Sequence, residues 1–320
     1  MKAHVFRSAL LLVAFFASIV SPSLTVAHAA TLKLAAATST PYVVDSSQEA
    51  TVNLYCRLKA GRKTFSASGS GIIISERGVI LTNAHVAQYF LLAREKGNVR
   101  GECSARTGSP AKKSYTAAIL YIPPVWLEDN VSKISERQPK GTGENDFALL
   151  YITGAQKKIP LPTHFPSLPV SVIATSSEGT PVTVAGYPTE DLDFKEIQNK
   201  LMAITVHSSV TDTKSFNQSG QPDMLTIASS SAASSGVSGG PILSSEKNVV
   251  GIVALKGSAK DDRRLRGISI PYINRALFTQ TGLSLPSLLA GDLASIASST
   301  RASISAELIQ GLANGVRRVK

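Results

Sequence analysis

The sequence contains few cysteine, histidine and aromatic residues. Its 320 residues include two cysteines and five histidines, and 6% are aromatic. His164 and His207 have no cysteine or histidine nearby at zinc-ligand spacing, so we expect no metal site and no cofactor. The formal net charge is +11, but the basic residues are scattered and not interleaved with aromatics. This distribution argues against nucleic-acid binding.

Long apolar segments are also missing beyond the N-terminus. The one marked run, Ala9 to Val20, follows Lys2 and Arg7 and is shorter than the roughly 20 residues of a membrane-spanning helix. Ala27-His28-Ala29 then has the small-x-small form of a signal-peptidase site. We therefore predict a signal peptide over 1–29, export to the periplasm or the extracellular space, and no membrane association of the mature chain.

No histidine follows His207, and this absence limits how a nucleophilic serine could be activated. Ser238 lies in the run Gly236-Val-Ser-Gly-Gly-Pro241, a glycine-rich turn. Its Gly-x-Ser-x-Gly pattern also fits an α/β-hydrolase, but that fold needs its acid and then its histidine after the serine. Because every histidine precedes Ser238, a lipase or esterase of that fold is disfavoured.

Two upstream segments supply the base and the carboxylate that a serine nucleophile requires. The first contains His85 in Thr-Asn-Ala-His-Val, and the second contains Asp146 in Glu-Asn-Asp-Phe-Ala. The order is therefore His, Asp, Ser. Subtilisin order would need an acid before the histidine, and none of the acidic residues ahead of His85 has a strand-end context; they are Asp45, Glu49 and Glu76.

The glycines around Ser238 indicate how an oxyanion could be stabilised. Backbone N–H groups aimed at the developing oxyanion can contribute roughly 3 to 4 kcal/mol each. Gly236 can adopt backbone angles closed to residues with a Cβ atom, which lets its N–H and that of Ser238 point the same way. We predict these two amides as the oxyanion hole.

Three ordered motifs together resemble the trypsin-like serine proteases of the chymotrypsin fold. The motifs are 69–86, which ends in Thr-Asn-Ala-His85-Val, 145–150, and 236–241. The sequence Gly267-Ile-Ser-Ile-Pro-Tyr is similar to the closing strand of bacterial HtrA-type proteases. The segment 182–188 resembles part of the secreted glutamyl endopeptidases. The resemblance covers approximately residues 48–280, and no PDZ-sized module is expected after it.

This resemblance implies an all-β fold of two six-stranded antiparallel β-barrels with a C-terminal helical tail. His85 would be the general base, Asp146 its orienting carboxylate and Ser238 the nucleophile of a secreted serine endopeptidase acting on proteins or peptides. The expected segments are a flexible lead-in at 30–47, a first barrel at 48–156, a proline-rich connector at 157–169, a second barrel at 170–280, and a helical or disordered tail at 281–320.

Val237 departs from the animal members of the family. They usually carry an aspartate before the nucleophile, which pairs with the N-terminal amine released by zymogen cleavage. A valine cannot form that ion pair, so we expect activity without a freshly generated N-terminus. The same departure predicts an oxyanion loop held by packing alone.

The resemblance also assigns a specificity pocket. Its base lies six residues before the nucleophile, at Ala232 beside Ala233, where no acid could pair with a lysine or arginine side chain. The opposite wall is expected from Ala254, Leu255 and Lys256. Small and apolar residues at these positions favour small or medium apolar substrate side chains. Lys256 leaves an acidic preference open, although the wall strand lacks the histidine usual in glutamyl endopeptidases.

Cys56 and Cys103 are expected to form a disulfide after export into an oxidising compartment. Cys56 lies in an alternating run that predicts a half-buried strand, and Cys103 lies where the family places another strand of the first barrel. Two buried free thiols are the alternative.

Two further classes of function stay open. One is a protease-fold binding protein without catalysis, although such proteins typically lose a triad residue and this sequence has all three. The other is an esterase that uses the same three residues on a non-peptide acyl group.

Overall fold

The computed structural model describes residues 46–93, 99–134, 141–156, 160–174, 176–217, 220–228, 230–256 and 263–318. They belong to one compact unit, Val43–Lys320. The predicted signal peptide, nearly all of the lead-in at 30–47, and part of the connector at 157–169 lie outside the described residues.

The first barrel is built from six antiparallel strands in the closed order β1-β2-β3-β6-β5-β4. The strands are β1 Thr51–Ala60, β2 Lys63–Ser75, β3 Val79–Thr82, β4 Val99–Thr107, β5 Lys113–Tyr121 and β6 Ala148–Ala155. Apolar side chains such as Val52, Leu54 and Leu150 fill the interior with at most 1% exposure. Closure removes the unpaired strand edges, which would otherwise be open to association.

The second barrel repeats this architecture with the order β10-β11-β12-β9-β8-β7. Its strands are β7 Pro181–Gly186, β8 Ile204–Lys214, β9 Met224–Ile227, β10 Pro241–Leu243, β11 Val249–Lys256 and β12 Leu265–Ser269. The prediction of two six-stranded antiparallel barrels is confirmed. One buried cluster joins the barrels, because Leu81 and Phe147 of the first pack with Ile252, Ala254 and Ile268 of the second.

Short helices connect and cover the strands. They are α1 Ser46–Ala50, α2 Ala84–Ala93, α3 Pro124–Asn130, α4 Phe194–Asn199, α5 Ile270–Thr281, α6 Leu285–Ala290, α7 Leu293–Ser303 and α8 Ala306–Arg317, with a 3-10 turn at Val131–Lys133. Within the described ranges, no helix combines the length and apolar character needed to cross a bilayer.

The C-terminal tail, which was expected to be helical or disordered, forms helices. Serine or aspartate side chains cap the N-termini of α5 to α8 by accepting backbone hydrogen bonds, and such caps stabilise a helix by about 1 kcal/mol. Ile304, Leu312 and Val316 pack into the core of the first barrel. The tail is therefore part of the folded unit.

The predicted disulfide between Cys56 and Cys103 is confirmed. Cys56 in β1 lies directly opposite Cys103 in β4 in the antiparallel register. This register brings two side chains on adjacent strands within reach of each other because paired Cβ atoms lie about 5 Å apart. The bridge therefore links two strands that are already neighbours in the first barrel.

Candidate active site

His85 lies at the start of α2, directly after β3 ends at Thr82. The first N–H groups of a helix have no acceptor within the helix. At His85 the acceptor comes from another loop: the backbone N–H of His85 donates to Asp146 Oδ1 at 2.9 Å. A carboxylate is also electrostatically favourable at a helix N-terminus. Asp146 therefore fixes the position of the His85 backbone.

The same carboxylate orients the imidazole ring of His85. Its second oxygen, Oδ2, lies 2.7 Å from His85 Nδ1. An ionised carboxylate can only accept, so Nδ1 carries the proton of the neutral ring and Nε2 keeps its lone pair. Asp146 is 5% exposed, and its own carbonyl accepts from Asn83 Nδ2 at 2.9 Å. The structure thus brings together two of the three predicted catalytic side chains with one tautomer selected.

A strained residue precedes Asp146 and is held by α5. Asn145 has φ of 57°, a left-handed conformation that asparagine tolerates better than most residues. Its N–H donates to the Tyr272 hydroxyl at 3.2 Å, and its Oδ1 accepts from Gln280 Nε2 at 3.1 Å. Burial raises the pKa of Tyr272, so the hydroxyl stays protonated and able to donate to Asn145 Oδ1. A C-terminal helix therefore fixes the loop that carries the carboxylate.

Ser238 lies in the loop between Ala228 and β10 and is partly exposed, whereas the preceding Val237 is fully buried. Gly239 follows with φ of 84°, and a side chain there would overlap Ser70 O and Thr82 Oγ1. These contacts seat the serine loop against the strands that lead to His85. Among the described residues no hydrogen bond joins Ser238 Oγ to His85. Such bonds are often long or poorly aligned in free enzymes and tighten when substrate binds.

The two amides predicted as the oxyanion hole are unoccupied donors. The Ser235 carbonyl accepts from Thr189 N at 2.7 Å and from Thr189 Oγ1 at 3.2 Å. In a trans peptide the carbonyl and the N–H point in opposite directions, so the N–H of Gly236 is directed away from Thr189. Within the described part of the chain, neither Gly236 N–H nor Ser238 N–H donates to another group.

The expectation that packing alone holds this loop is wrong. Ser70 in β2 donates through its backbone N–H to Ser238 O at 2.7 Å, and through its hydroxyl to Gly236 O at 2.7 Å. Gly239 N–H also donates to Val253 O at 2.7 Å. Val237 adds packing from within the second-barrel core. Hydrogen bonds from both barrels therefore hold the serine loop.

The residues predicted for the specificity pocket do not share one cluster. Ala232 and Ala233 are buried together with Val237 in the core of the second barrel. Ala254 instead packs in the cluster between the barrels, with Leu255 partly buried against it. Val253, directly before Ala254, packs with Ala232 and Ala233 in the second-barrel core, because successive side chains of a strand point to opposite faces. Lys256 ends β11, and its side chain lies outside what is described.

The remaining described histidines have ordinary surface partners. His164 Nδ1 lies 3.1 Å from Glu76 Oε2 with both side chains mostly exposed, and His207 Nδ1 lies 3.0 Å from Thr183 Oγ1. In the described ranges no three His, Cys, Asp or Glu side chains are grouped to hold a metal ion.

Sequence reasoning missed the residues that support the site. Ser70 lies inside the Gly69-Ser-Gly71 run, which marked the first motif without showing a role for the hydroxyl. Thr189 and Tyr272 carry no sequence signal, because each acts on a residue more than 40 positions away. Only the fold brings these contacts together.

Comparison with known proteins adds two findings. A family model described as "Trypsin-like peptidase domain" matches residues 69–252, which include His85, Asp146 and Ser238. The protein "Serine protease HTRA2, mitochondrial" of Bos taurus is 26% identical over 197 residues. The match covers 62% of this chain and 33% of that protein, so the similarity spans about a third of the relative.

Proposed function

The chain belongs to the trypsin-like peptidase family, and from this premise we propose that it is a serine endopeptidase with His85, Asp146 and Ser238 as its triad. The observation that carries the assignment is the pair of hydrogen bonds that Asp146 accepts from His85, at 2.9 Å from the backbone N–H and 2.7 Å from ring Nδ1. The pair selects the tautomer in which Nε2 can accept a proton. The bound substrate would be a protein or a peptide.

In the first half of the reaction, His85 Nε2 takes the proton of Ser238 Oγ as the oxygen attacks the carbonyl carbon of the scissile bond. A C–O bond forms, and the carbonyl π electrons move to the oxygen. The Gly236 and Ser238 N–H groups receive this oxyanion. Collapse breaks the C–N bond, and the amine leaves with the proton from His85, which leaves an acyl-enzyme.

The second half returns the enzyme to its starting state. Water gives a proton to His85 as its oxygen attacks the ester carbonyl of the acyl-enzyme. The same two amides receive the second oxyanion. Collapse breaks the bond to Ser238 Oγ, which regains its proton from His85, and the carboxylic acid product is released. Asp146 keeps the imidazole oriented in both halves and stabilises its positive charge.

The test of this proposal is Ser238→Ala. We expect the variant to lose both labelling by a fluorophosphonate probe and cleavage of casein, because both reactions require the same nucleophilic oxygen, Ser238 Oγ. Wild-type protein that is not labelled would favour a binding protein without catalysis. Labelled protein that hydrolyses p-nitrophenyl acetate and leaves casein intact would favour an esterase. Unchanged casein cleavage by Ser238→Ala would exclude Ser238 as the nucleophile.

For the substrate we propose a preference for small or medium apolar side chains before the scissile bond. Support comes from the absence of an acid at Ala232 and Ala233, because a buried cationic substrate side chain would have no partner there. Profiling of cleavage sites in a peptide library should show alanine, valine or leucine enriched at that position. Dominant cleavage after arginine or lysine would contradict the pocket assignment. Dominant cleavage after glutamate would contradict the apolar preference and indicate that Lys256 pairs with an acidic substrate side chain.

We further propose that the protein acts outside the cytoplasm, in the periplasm or the extracellular space. Two observations support this location: the apolar run and small-x-small sequence before residue 30, and the Cys56–Cys103 disulfide. Disulfides persist mainly in oxidising compartments. Together they favour export before folding.

A further inference from the structure

We propose that Ser70 is a positioning residue whose hydroxyl holds the oxyanion segment, Gly236 to Ser238, in its working conformation. This inference rests on the proposed function, since it concerns how the predicted oxyanion hole is kept open. Ser70 lies in β2 of the first barrel, and the segment that it binds belongs to the second.

The hydrogen bonds of Ser70 leave one arrangement for its proton. The side chain is fully buried. Its Oγ accepts from Tyr187 N at 2.9 Å and lies 2.7 Å from Gly236 O. A backbone N–H can only donate and a carbonyl can only accept, so the hydroxyl proton points at Gly236 O. The backbone oxygen of Ser70 is itself fixed by Thr82 Oγ1 at 2.7 Å.

The two peptide groups of Gly236 are anchored from opposite sides. Thr189 holds the Ser235 carbonyl, and the Ser70 hydroxyl holds the Gly236 carbonyl. Gly236 has φ of 92° and no side chain to restrict it, so its backbone has more conformational freedom than any other residue type would have. The peptide that Ser70 holds, Gly236–Val237, lies between the two peptides that carry the Gly236 and Ser238 N–H groups. Without this bond, the orientation of those two N–H groups relative to each other loses a restraint.

The hydrogen bonds from Ser70 restrain the segment that an ion pair restrains in the animal members of the family, where an aspartate precedes the nucleophile. The residue before the nucleophile is Val237, which is fully buried and carries no charge. The backbone N–H of Ser70 binds Ser238 O at 2.7 Å, so Ser70 holds carbonyls on both sides of Val237. Two hydrogen bonds from the neighbouring barrel therefore restrain the segment that lacks a charged anchor.

The decisive variant is Ser70→Ala, which removes the hydroxyl and keeps the backbone N–H. We expect kcat for a peptide p-nitroanilide with alanine before the scissile bond to fall about 10- to 100-fold, less than the loss of an oxyanion donor itself. KM should change by less than about twofold, because ground-state binding does not use the hole. The rate of fluorophosphonate labelling should fall in parallel with kcat.

Ser68→Ala is the matched control. It removes a hydroxyl from the same strand, and that hydroxyl binds Asn53 Nδ2 instead of the serine loop. Both variants are compared by thermal unfolding, and Ser68→Ala should keep the wild-type kcat. An equal loss of kcat in Ser68→Ala, or a Ser70→Ala effect confined to KM, would overturn the positioning role.

Two further variants make every result decisive. Peptidase activity that persists in Ser238→Ala would contradict both the proposed function and this inference. An inactive Ser238→Ala together with wild-type kcat in Ser70→Ala would overturn this inference alone. If Ser70→Ala does not fold, Ser70→Cys keeps a similar shape but replaces the hydroxyl by a thiol, which is a much weaker hydrogen-bond donor. A lowered kcat in that variant supports the role of Ser70, and an unchanged kcat contradicts it.

Discussion

Replacing Asp146 by asparagine is expected to lower kcat about 10⁴-fold while the protein stays folded. The carboxylate accepts from both the backbone N–H and the ring Nδ1 of His85. The two bonds end on different carboxylate oxygens, and an amide has an oxygen at only one of these positions and an NH₂ donor at the other, so one of the two bonds is lost. If the amide donates to Nδ1, the ring proton moves to Nε2, where it blocks proton transfer from Ser238.

The measurement is kcat on a peptide p-nitroanilide together with the free energy of unfolding of the variant. Asp223→Asn is the matched control, because Asp223 is also a buried aspartate, 2% exposed and hydrogen-bonded to Phe216 N and Arg275. We expect that control to lose stability and keep most of its kcat. A loss of less than tenfold in Asp146→Asn would show that His85 does not depend on this carboxylate.

Gly236→Ala is expected to lower kcat about 10²- to 10³-fold, the effect of losing one oxyanion donor. The glycine has φ of 92°, and a Cβ atom there would lie 2.5 Å from Tyr187 O and 2.8 Å from Thr189 Oγ1. The backbone must shift to relieve these contacts, because Tyr187 O is part of the main chain. The shift would turn the Gly236 N–H away from the oxyanion.

Gly179→Ala separates this effect from ordinary backbone strain. Gly179 has φ of 83°, and a Cβ atom there would meet nothing within 4 Å. That variant should lose about 1–2 kcal/mol of stability from its left-handed conformation and keep wild-type kcat. Steady-state kinetics and denaturant unfolding of both variants test the comparison. Equal kcat values in the two variants would mean that Gly236 has no role beyond its backbone angle.

The sequence was sufficient to predict the two barrels and their disulfide. The resemblance of three motifs to the trypsin-like serine proteases predicted the barrels, and Cys56 and Cys103 fell in strands that the structure pairs directly. The motifs around His85, Asp146 and Ser238 predicted a triad because each motif places a catalytic residue type in a recognisable local sequence of a few residues. The pair His85–Asp146 is hydrogen-bonded in the structure.

The supporting contacts could not be predicted because they depend on tertiary packing. Ser70 and Gly236 are 166 residues apart in the chain, and no local pattern links a serine in one barrel to a carbonyl in the other. The specificity pocket stays a prediction, because its residues were assigned by their position in the family's pattern. Ala254 packs in the cluster between the barrels, whereas Val253 packs in the second-barrel core. The face to which each β11 side chain points depends on the register between β11 and β12, and this register shifts between Val253 and Leu255.

The helices after the second barrel also set the order in which the protein can mature. Ile304, Leu312 and Val316 complete the core of the first barrel, yet the ribosome makes them after both barrels. During synthesis, the first-barrel core that supports His85 and Asp146 therefore stays incomplete until the C-terminal helices have been made. The core behind His85 and Asp146 is therefore complete only when the C-terminal helices have packed against the first barrel.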